Sequence, residues 1–147
     1  HVDNHISVDH AAPGCRSSQF FRGVLGDRSR GVFNGKALIR AGSDDSVVHQ
    51  SNANLLLSRL AEIDTKPELE IYADEVEASH GATVGQLDED AVFYMRTRGL
   101  SDARARRLLT TAFCRAVTDR LADRELAEKL AGLVDEAMPE SMPFGEE

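Results

Sequence analysis

Residues 66–99 read KPELEIYADEVEASHGATVGQLDEDAVFYMRTRG and pass from a strand-like pattern to a helical one. The first residues alternate, with Leu69 and Ile71 on one face and glutamates on the other, which predicts a strand. Asp88 is placed as the N-cap of a helix, and Gly99 stands where a helix commonly ends. Between them lies a segment of small residues that carries one histidine, His80. The stretch therefore predicts a junction between a β region and a helical region.

The part of the chain before residue 87 contains short alternating segments separated by Gly, Asn, Asp and Ser. These segments are residues 5–10, 20–25, 31–33, 37–40, 47–50, 55–57 and 69–72. The pattern fits a β-sandwich, and it fits equally well a solenoid whose turns repeat every 20-odd residues, roughly. The residues alone leave these two architectures open. Because the chain has no Trp and 5% aromatic residues, we expect a core of Leu, Val, Ile and Ala.

The part from residue 87 onward is predicted to form three amphipathic helices, capped by Asp88, Ser101 and Asp123. The second helix carries an apolar stripe with a helical period. The stripe consists of Ala105, Leu108, Leu109, Ala112, Phe113, Ala116, Val117 and Leu121. The prolines near the C-terminus predict a loose tail from about residue 139. We expect two domains, a β core over residues 1–86 and a helical domain over residues 87–147, docked on the end of that core.

Composition excludes several classes of function. The formal net charge of −8 argues against nucleic acid as a partner, because binding to phosphates needs a basic face. No apolar run approaches the ~20 residues that a membrane span requires. Cys15 and Cys114 are too far apart in sequence to suggest a disulfide framework, which favours a cytoplasmic location. The chain begins with His1 within a strand-like pattern, so we interpret it as a fragment of a longer protein.

Four segments resemble the SufB/SufD family, the scaffold proteins of the SUF system for iron–sulfur cluster assembly. They are RGVFNGK at 30–36, HQSNANLLL at 49–57, SHGATVGQLDED at 79–90 and FYMRTRGL at 93–100. The last two are similar to the SufD type. The resemblance implies a fold of mixed β and α class, with the terminal rungs of a right-handed parallel β-helix followed by a small C-terminal helical domain. It also implies that the chain is a C-terminal fragment.

The resemblance further implies a scaffold subunit with no enzymatic activity and no tightly bound cofactor. Such a subunit pairs with a SufB-like paralogue, and a transient iron–sulfur cluster forms at their interface. A SufC-like ATPase docks on the C-terminal helices, for which we expect exposed residues between 89 and 107 to be used. The rival interpretation is a β-helix polysaccharide lyase or hydrolase, and a third is self-pairing of this chain into a homodimer.

His80 is the strongest candidate for chemistry. A neutral imidazole is a suitable iron ligand, and small neighbours let a partner side chain approach it. From the residues alone, a single histidine in a strand is far more often structural. The resemblance assigns His80 to the SufB interface, where it joins a partner cysteine as a transient metal ligand, with Ser79, Gly81 and Thr83 as interface neighbours. Family members often have cysteine where this chain has Ala78, which removes a soft ligand.

Other polar residues have structural interpretations. On a strand, His1, Asp3 and His5 point to one face and His10 to the other, so they do not converge on one ion. We expect them to form a solvated face. The recurrent asparagines, Asn34, Asn52 and Asn54, predict amide ladders at solenoid corners. Cys114 lies on the apolar stripe and is predicted to be buried, whereas Cys15 follows a Pro-Gly turn and is predicted to be half-exposed.

Overall fold

Six parallel strands in two sheets and three helices make up the computed structural model, which describes residues 1–139. Successive strands alternate between the sheets, so one sheet has the order β1-β3-β5 and the other β2-β4-β6. The strands are β1 (Val2–His10), β2 (Arg16–Leu25), β3 (Arg30–Ile39), β4 (Ser46–Leu56), β5 (Glu62–Ile71) and β6 (Val76–Gly85). The predicted combination of β and α structure is confirmed.

The chain returns to the same sheet after about 30 residues. Val2 pairs with Gly31, and Arg16 pairs with Val47 in the other sheet. The predicted repeat of 20-odd residues is therefore wrong. Polar residues inside β3 and β4 interrupt the hydrophobic pattern, so each of these strands of 10 and 11 residues looked like two shorter segments.

Alternate side chains of each strand face the space between the sheets. Ala37, Ile39 and Val48 are fully buried there, and Leu69, Ala73, Val76 and Ala78 pack against them. The rest of this interior contains buried amides, namely Gln19, Gln50, Asn52 and Asn54. The expectation of a core of Leu, Val, Ile and Ala therefore holds for only part of the interior.

The predicted asparagine ladders are wrong. Asn52 and Asn54 lie within β4, not at corners, and Asn34 lies half-exposed within β3. Nδ2 of Asn54 donates to Oδ1 of Asn52 at 2.6 Å, and Thr65 donates its hydroxyl to the same oxygen at 2.8 Å. These bonds run along one strand and across to β5. They satisfy buried polar groups, which would otherwise destabilise the fold.

The three helices begin where the sequence predicts. They are α1 (Glu89–Thr97), α2 (Asp102–Thr118) and α3 (Arg124–Ala137). The side chains of Asp88, Ser101 and Asp123 each accept a hydrogen bond from an amide in the first turn. Gly99, with φ of +92°, follows the end of α1. The tail predicted from about residue 139 falls almost entirely outside the described residues.

The apolar stripe of α2 does not form one buried face. Leu108 and Ala112 are exposed, and so is Leu121, which lies beyond the end of α2, whereas Ala105, Thr110 and Thr118 are buried. Helix α2 contacts β2, α1 and α3, so residues on several of its sides are covered, and it shares a cation–π contact with β2. The Arg22 guanidinium lies 3.7 Å from the centre of the Phe20 ring and 5.6 Å from that of Phe113.

The expected docking of the helices on the end of the β core is also wrong. Phe21 faces the interior, where its ring lies 4.8 Å from that of Phe33. Its neighbours Phe20 and Arg22 therefore face outward. Because Arg22 contacts Phe113 of α2 and Phe20 contacts Arg120 just after this helix, α2 lies across the outer face of the sheet.

Candidate functional site

His80 lies in the middle of β6, one of the two edge strands of its sheet among the described residues. β6 pairs with β4 along one side only, so the backbone groups of its other side have no strand partner in residues 1–139. All residues from Ser79 to Gly85 are exposed. An exposed strand edge can pair with a strand of another chain. The position predicted for chemistry is thus on an accessible edge.

The residues predicted as neighbours of His80 lie on the opposite face of β6. Strand alternation places Ser79, Gly81 and Thr83 outward, whereas His80 is directed to the side of the interior. The Ser79 hydroxyl is hydrogen-bonded to Nδ1 of His49 at 2.8 Å. The structure therefore brings three of the four predicted residues to one face and His80 to the other.

The outward face beside Ser79 also carries a histidine–carboxylate pair. Nε2 of His49 lies 3.7 Å from a carboxylate oxygen of Glu77. His49 thus bridges Ser79 and Glu77 across β4 and β6. Both side chains are largely exposed, so the contact contributes little to stability.

The backbone next to His80 leaves room for a partner. A β-carbon built on Gly81 would meet no atom within 4 Å, and the same holds for Gly85. Ala78, which precedes His80 on the same face, is half-buried and packs against the apolar cluster of Ala37, Ile39 and Val48. A side chain at position 78 is therefore directed into the core, and His80 lies where the core ends.

His80 is the third member of a row of polar side chains that crosses the sheet. Gln19 of β2 pairs in register with Gln50 of β4, which pairs with His80 of β6. Nε2 of Gln50 donates to Oε1 of Gln19 at 3.0 Å, and both glutamines are buried. This row was not predicted from the sequence. The signal that could have found it is the spacing of about 30 residues between the three positions.

The other candidate metal residues remain dispersed. His1, Asp3 and His5 are exposed, whereas His10 is buried with its Nε2 2.9 Å from the Ser17 hydroxyl, as strand alternation predicts. Nε2 of His5 lies 2.9 Å from a carboxylate oxygen of Asp3. In the described part of the chain, no three His, Cys, Asp or Glu side chains are placed to hold a metal ion.

The two cysteines are free thiols in separate parts of the fold. Both Cys15 and Cys114 are half-buried, the first just before β2 and the second in α2. Burial raises the pKa of the Cys114 thiol, which keeps it protonated and weakens it as a nucleophile or ligand. The half-exposure predicted for Cys15 agrees with the structure.

The helices expose several large apolar side chains. Phe93 and Tyr94 of α1 are 66% and 57% exposed, and Leu108 of α2 is 48% exposed. Leu108 also lines a groove with Leu100, Arg104 and Arg107. Among residues 1–139, no helix is long and apolar enough to cross a membrane.

A model of one protein family matches most of the chain. Residues 1–113 match the family described as the SUF system FeS cluster assembly SufBD core domain. The match covers all six strands and extends into α2. It includes His80 and the row of polar side chains.

Curated proteins from several bacteria are similar to this chain. The iron–sulfur cluster assembly protein SufD of Escherichia coli is 36% identical over 137 residues, which is 93% of this chain. An iron–sulfur cluster assembly SufBD family protein of Synechocystis is 40% identical over 128 residues, or 87% of this chain. A SufBD family protein of Mycobacterium tuberculosis is 34% identical over 143 residues, or 92% of this chain. These alignments cover 32%, 28% and 36% of the respective relatives, so the chain spans about a third of their length.

Proposed function

Since this chain belongs to the SufBD core family of the SUF iron–sulfur cluster assembly system, we propose that it is part of a SufD-type scaffold subunit that pairs with a SufB-like paralogue. The observation that carries the proposal is the position of His80 on an exposed edge strand of the β region. The subunit works in the cytoplasm. It holds and positions a nascent cluster, and it catalyses no reaction of its own.

Pairing with the SufB-like subunit uses the edge of β6. A partner strand that adds to this edge gains backbone hydrogen bonds, and small residues around His80 allow close approach. The space beside Gly81 is open, so a partner side chain can enter without rearrangement of this chain. His80 then lies at the boundary between the two subunits.

The nascent cluster is cargo at that boundary. His80 offers an imidazole nitrogen to iron, and a cysteine of the SufB-like subunit supplies the thiolate. Position 78, two residues earlier on the same face, is alanine in this chain, so no thiol of β6 assists. We expect the protein without its partner to be colourless, because one histidine does not retain a cluster.

Docking of a SufC-like ATPase uses the exposed apolar side chains of α1 and α2. Phe93, Tyr94 and Leu108 provide aromatic and aliphatic anchors of the kind that dominate protein interfaces. The first two fall within the region between residues 89 and 107 that the sequence predicted, and Leu108 adjoins it.

The two sheets are the last turns of a right-handed parallel β-helix, and the helical domain begins near residue 87. Support comes from the parallel pairing of strands that alternate between two sheets. Connections between parallel strands of one sheet are right-handed in about 98% of proteins.

The lyase or hydrolase alternative gains no support from the carboxylates of β5. Glu70 forms an ion pair with Lys36 at 2.7 Å, and Glu68 is paired with Lys66. The pairing with Lys66 lowers the pKa of Glu68. The pair of Glu70 with Lys36 links β5 to β3, and the pair of Glu68 with Lys66 lies within β5. These carboxylates therefore have a structural role.

The experiment that tests the proposal is co-expression of the full-length protein with SufB-like and SufC-like subunits. We expect the three proteins to co-purify and the complex to show cluster absorbance after reconstitution. Purification of the subunit alone serves as the control and should give colourless protein. If the subunits do not co-purify and the protein forms a homodimer instead, the proposed pairing with the SufB-like subunit is wrong. Activity on pectin-like polymers would favour the enzyme alternative.

A further inference from the structure

The row formed by Gln19, Gln50 and His80 joins the buried interior to the exposed edge. Each member occupies the paired position on the neighbouring parallel strand, so consecutive α-carbons are about 4.8 Å apart and all three side chains share one face. Gln19 is 8% exposed and Gln50 is 3% exposed, whereas His80 is exposed. The row thus places the predicted ligand beside two buried amides that are hydrogen-bonded to each other.

The amide of Gln50 is held in one orientation. Its Nε2 donates to Oε1 of Gln19 at 3.0 Å, so its Oε1 is directed away from Gln19. Gly35 of β3 lies against this amide, and a β-carbon at that position would collide with Nε2. Gln50 therefore has little freedom to rotate.

Oε1 of Gln50 is buried, yet it has no hydrogen-bond partner among residues 1–139. A buried carbonyl oxygen without a donor destabilises a protein, and such atoms are uncommon. The next side chain in the row is His80, which has two ring nitrogens that can each carry a proton.

We propose that the His80 ring, which is exposed and does not form a hydrogen bond with Gln50 in this structure, turns inward so that one ring nitrogen donates to Oε1 of Gln50, which thereby selects its tautomer. The inference rests on the proposed function and deepens it. When one ring nitrogen donates to Gln50, the other has its lone pair free for iron at the subunit boundary. Histidines that bind metals commonly donate their second ring N–H in this way. Gln50 is then a positioning residue, and Gln19 fixes its amide.

Among residues 1–139, no charged side chain occupies an inner position of β5, the strand of the other sheet that contacts β6. The inner positions of β5 are Ile63, Thr65, Pro67, Leu69 and Ile71. The Thr65 hydroxyl already donates to Oδ1 of Asn52 at 2.8 Å. Glu77 of β6 points to the outer face, where it lies 3.7 Å from His49. The amide that is paired in register with His80 on the inner face is that of Gln50.

The test is a measurement of the tautomer of His80 in the full-length protein labelled with ¹⁵N-histidine. The spectrum is recorded in mildly alkaline buffer, and the signal is assigned by its loss in His80→Ala. Gln50→Leu and the longer, isosteric Gln50→Met each remove the acceptor. His49→Ala is the matched control, because it removes a polar neighbour on the same strand but on the opposite face.

We expect the ratio of the two tautomers to change about five-fold in both Gln50 variants, the size expected for one net hydrogen bond. The ratio should stay within about two-fold of wild type in His49→Ala. In the wild-type protein, the donating ring proton should exchange slowly with water and show a nuclear Overhauser contact with the Gln50 side chain. This last measurement tests the proposal even if neither Gln50 variant folds.

An unchanged ratio in the Gln50 variants, or no such contact in the wild type, would overturn the proposal. Equal changes in His49→Ala would overturn it as well, because the outer face would then set the tautomer. None of these readouts involves a cluster. A failure of this inference is therefore distinct from a failure of the scaffold function, which cluster supply reports.

Discussion

The amide of Gln50 occupies the space in which a side chain at Gly35 would lie. A β-carbon built on Gly35 collides with Nε2 of Gln50, and it would also come within 2.8 Å of the Phe33 ring. The two residues belong to different sheets, β3 and β4, that face each other across the interior. A polar side chain is thus packed there as tightly as an apolar one in an ordinary core.

This contact makes Gly35→Ala a destabilising change. We expect the free energy of unfolding to fall by about 1–3 kcal/mol, because Gln50 or Phe33 must move to accept one methyl group. Urea unfolding followed by circular dichroism measures the change. Gly81→Ala is the matched control, since a β-carbon there meets no atom within 4 Å, and its effect should be about 0.5 kcal/mol or less. Equal effects of the two substitutions would contradict the packing described for the interior.

A second prediction concerns acid stability and the ion pair between Asp9 and Arg40. The Arg40 guanidinium donates to the carboxylate at 2.9 and 2.6 Å and lowers the pKa of Asp9. Because the pKa in the folded state is below its unfolded value, the pair stabilises the protein above the unfolded pKa of about 3.9. That contribution is lost as the pH falls through the folded pKa.

Asp9→Asn should therefore be less stable than wild type near neutral pH. The difference in stability between the two proteins should disappear in strong acid. Thermal melts across this pH range measure it. Arg40→Gln removes the same pair from the other side and should give the same profile. A difference that stayed constant with pH would show that the ion pair is not its origin.

The third prediction tests the docking surface proposed on α1 and α2. Phe93→Ser and Leu108→Ser should weaken binding of the SufC-like ATPase by about ten-fold or more, because exposed apolar anchors carry much of an interface's binding energy. Isothermal titration calorimetry on the full-length protein measures the affinity. Leu133→Ser, at a 54% exposed position on α3, is the control and should bind as wild type does. If only the control loses affinity, the dock lies on α3.

The sequence predicted the elements better than their packing. Capping residues such as Asp88 and Ser101 act locally, so the starts of the helices could be read directly. The exposure of Leu108 could not be predicted, because helical periodicity identifies an apolar stripe but not the surface against which the stripe packs. The contact of Arg22 with Phe113 joins residues that are 91 positions apart, and no local sequence pattern indicates such a contact.

The candidate site was predicted in part for the same reason. His80 stands out in its segment of small residues, and the structure places it on an exposed edge. Gln50 was missed because its importance depends on the strand register, which sets it beside a residue 30 positions later. The buried amides also contradicted an expectation based on composition, since composition does not show which side of a strand a glutamine faces.

The measurement that tests the central claim most directly is complementation of a strain that lacks the gene, using full-length protein with His80→Ala. The imidazole is exposed on an edge strand, so we expect a stability change of about 1 kcal/mol or less. Co-purification should recover the SufB-like and SufC-like subunits, because one side chain rarely carries a whole interface. His49→Ala, which removes an exposed histidine from the outer face of the neighbouring strand β4, is the control and should support normal cluster supply.

The account predicts that cluster supply falls sharply in His80→Ala while the complex remains assembled. Activity of an iron–sulfur enzyme in the complemented cells reports the supply. Normal supply from an assembled complex would contradict the role of His80 in building the cluster. Loss of the complex itself would make His80 a structural anchor of the interface.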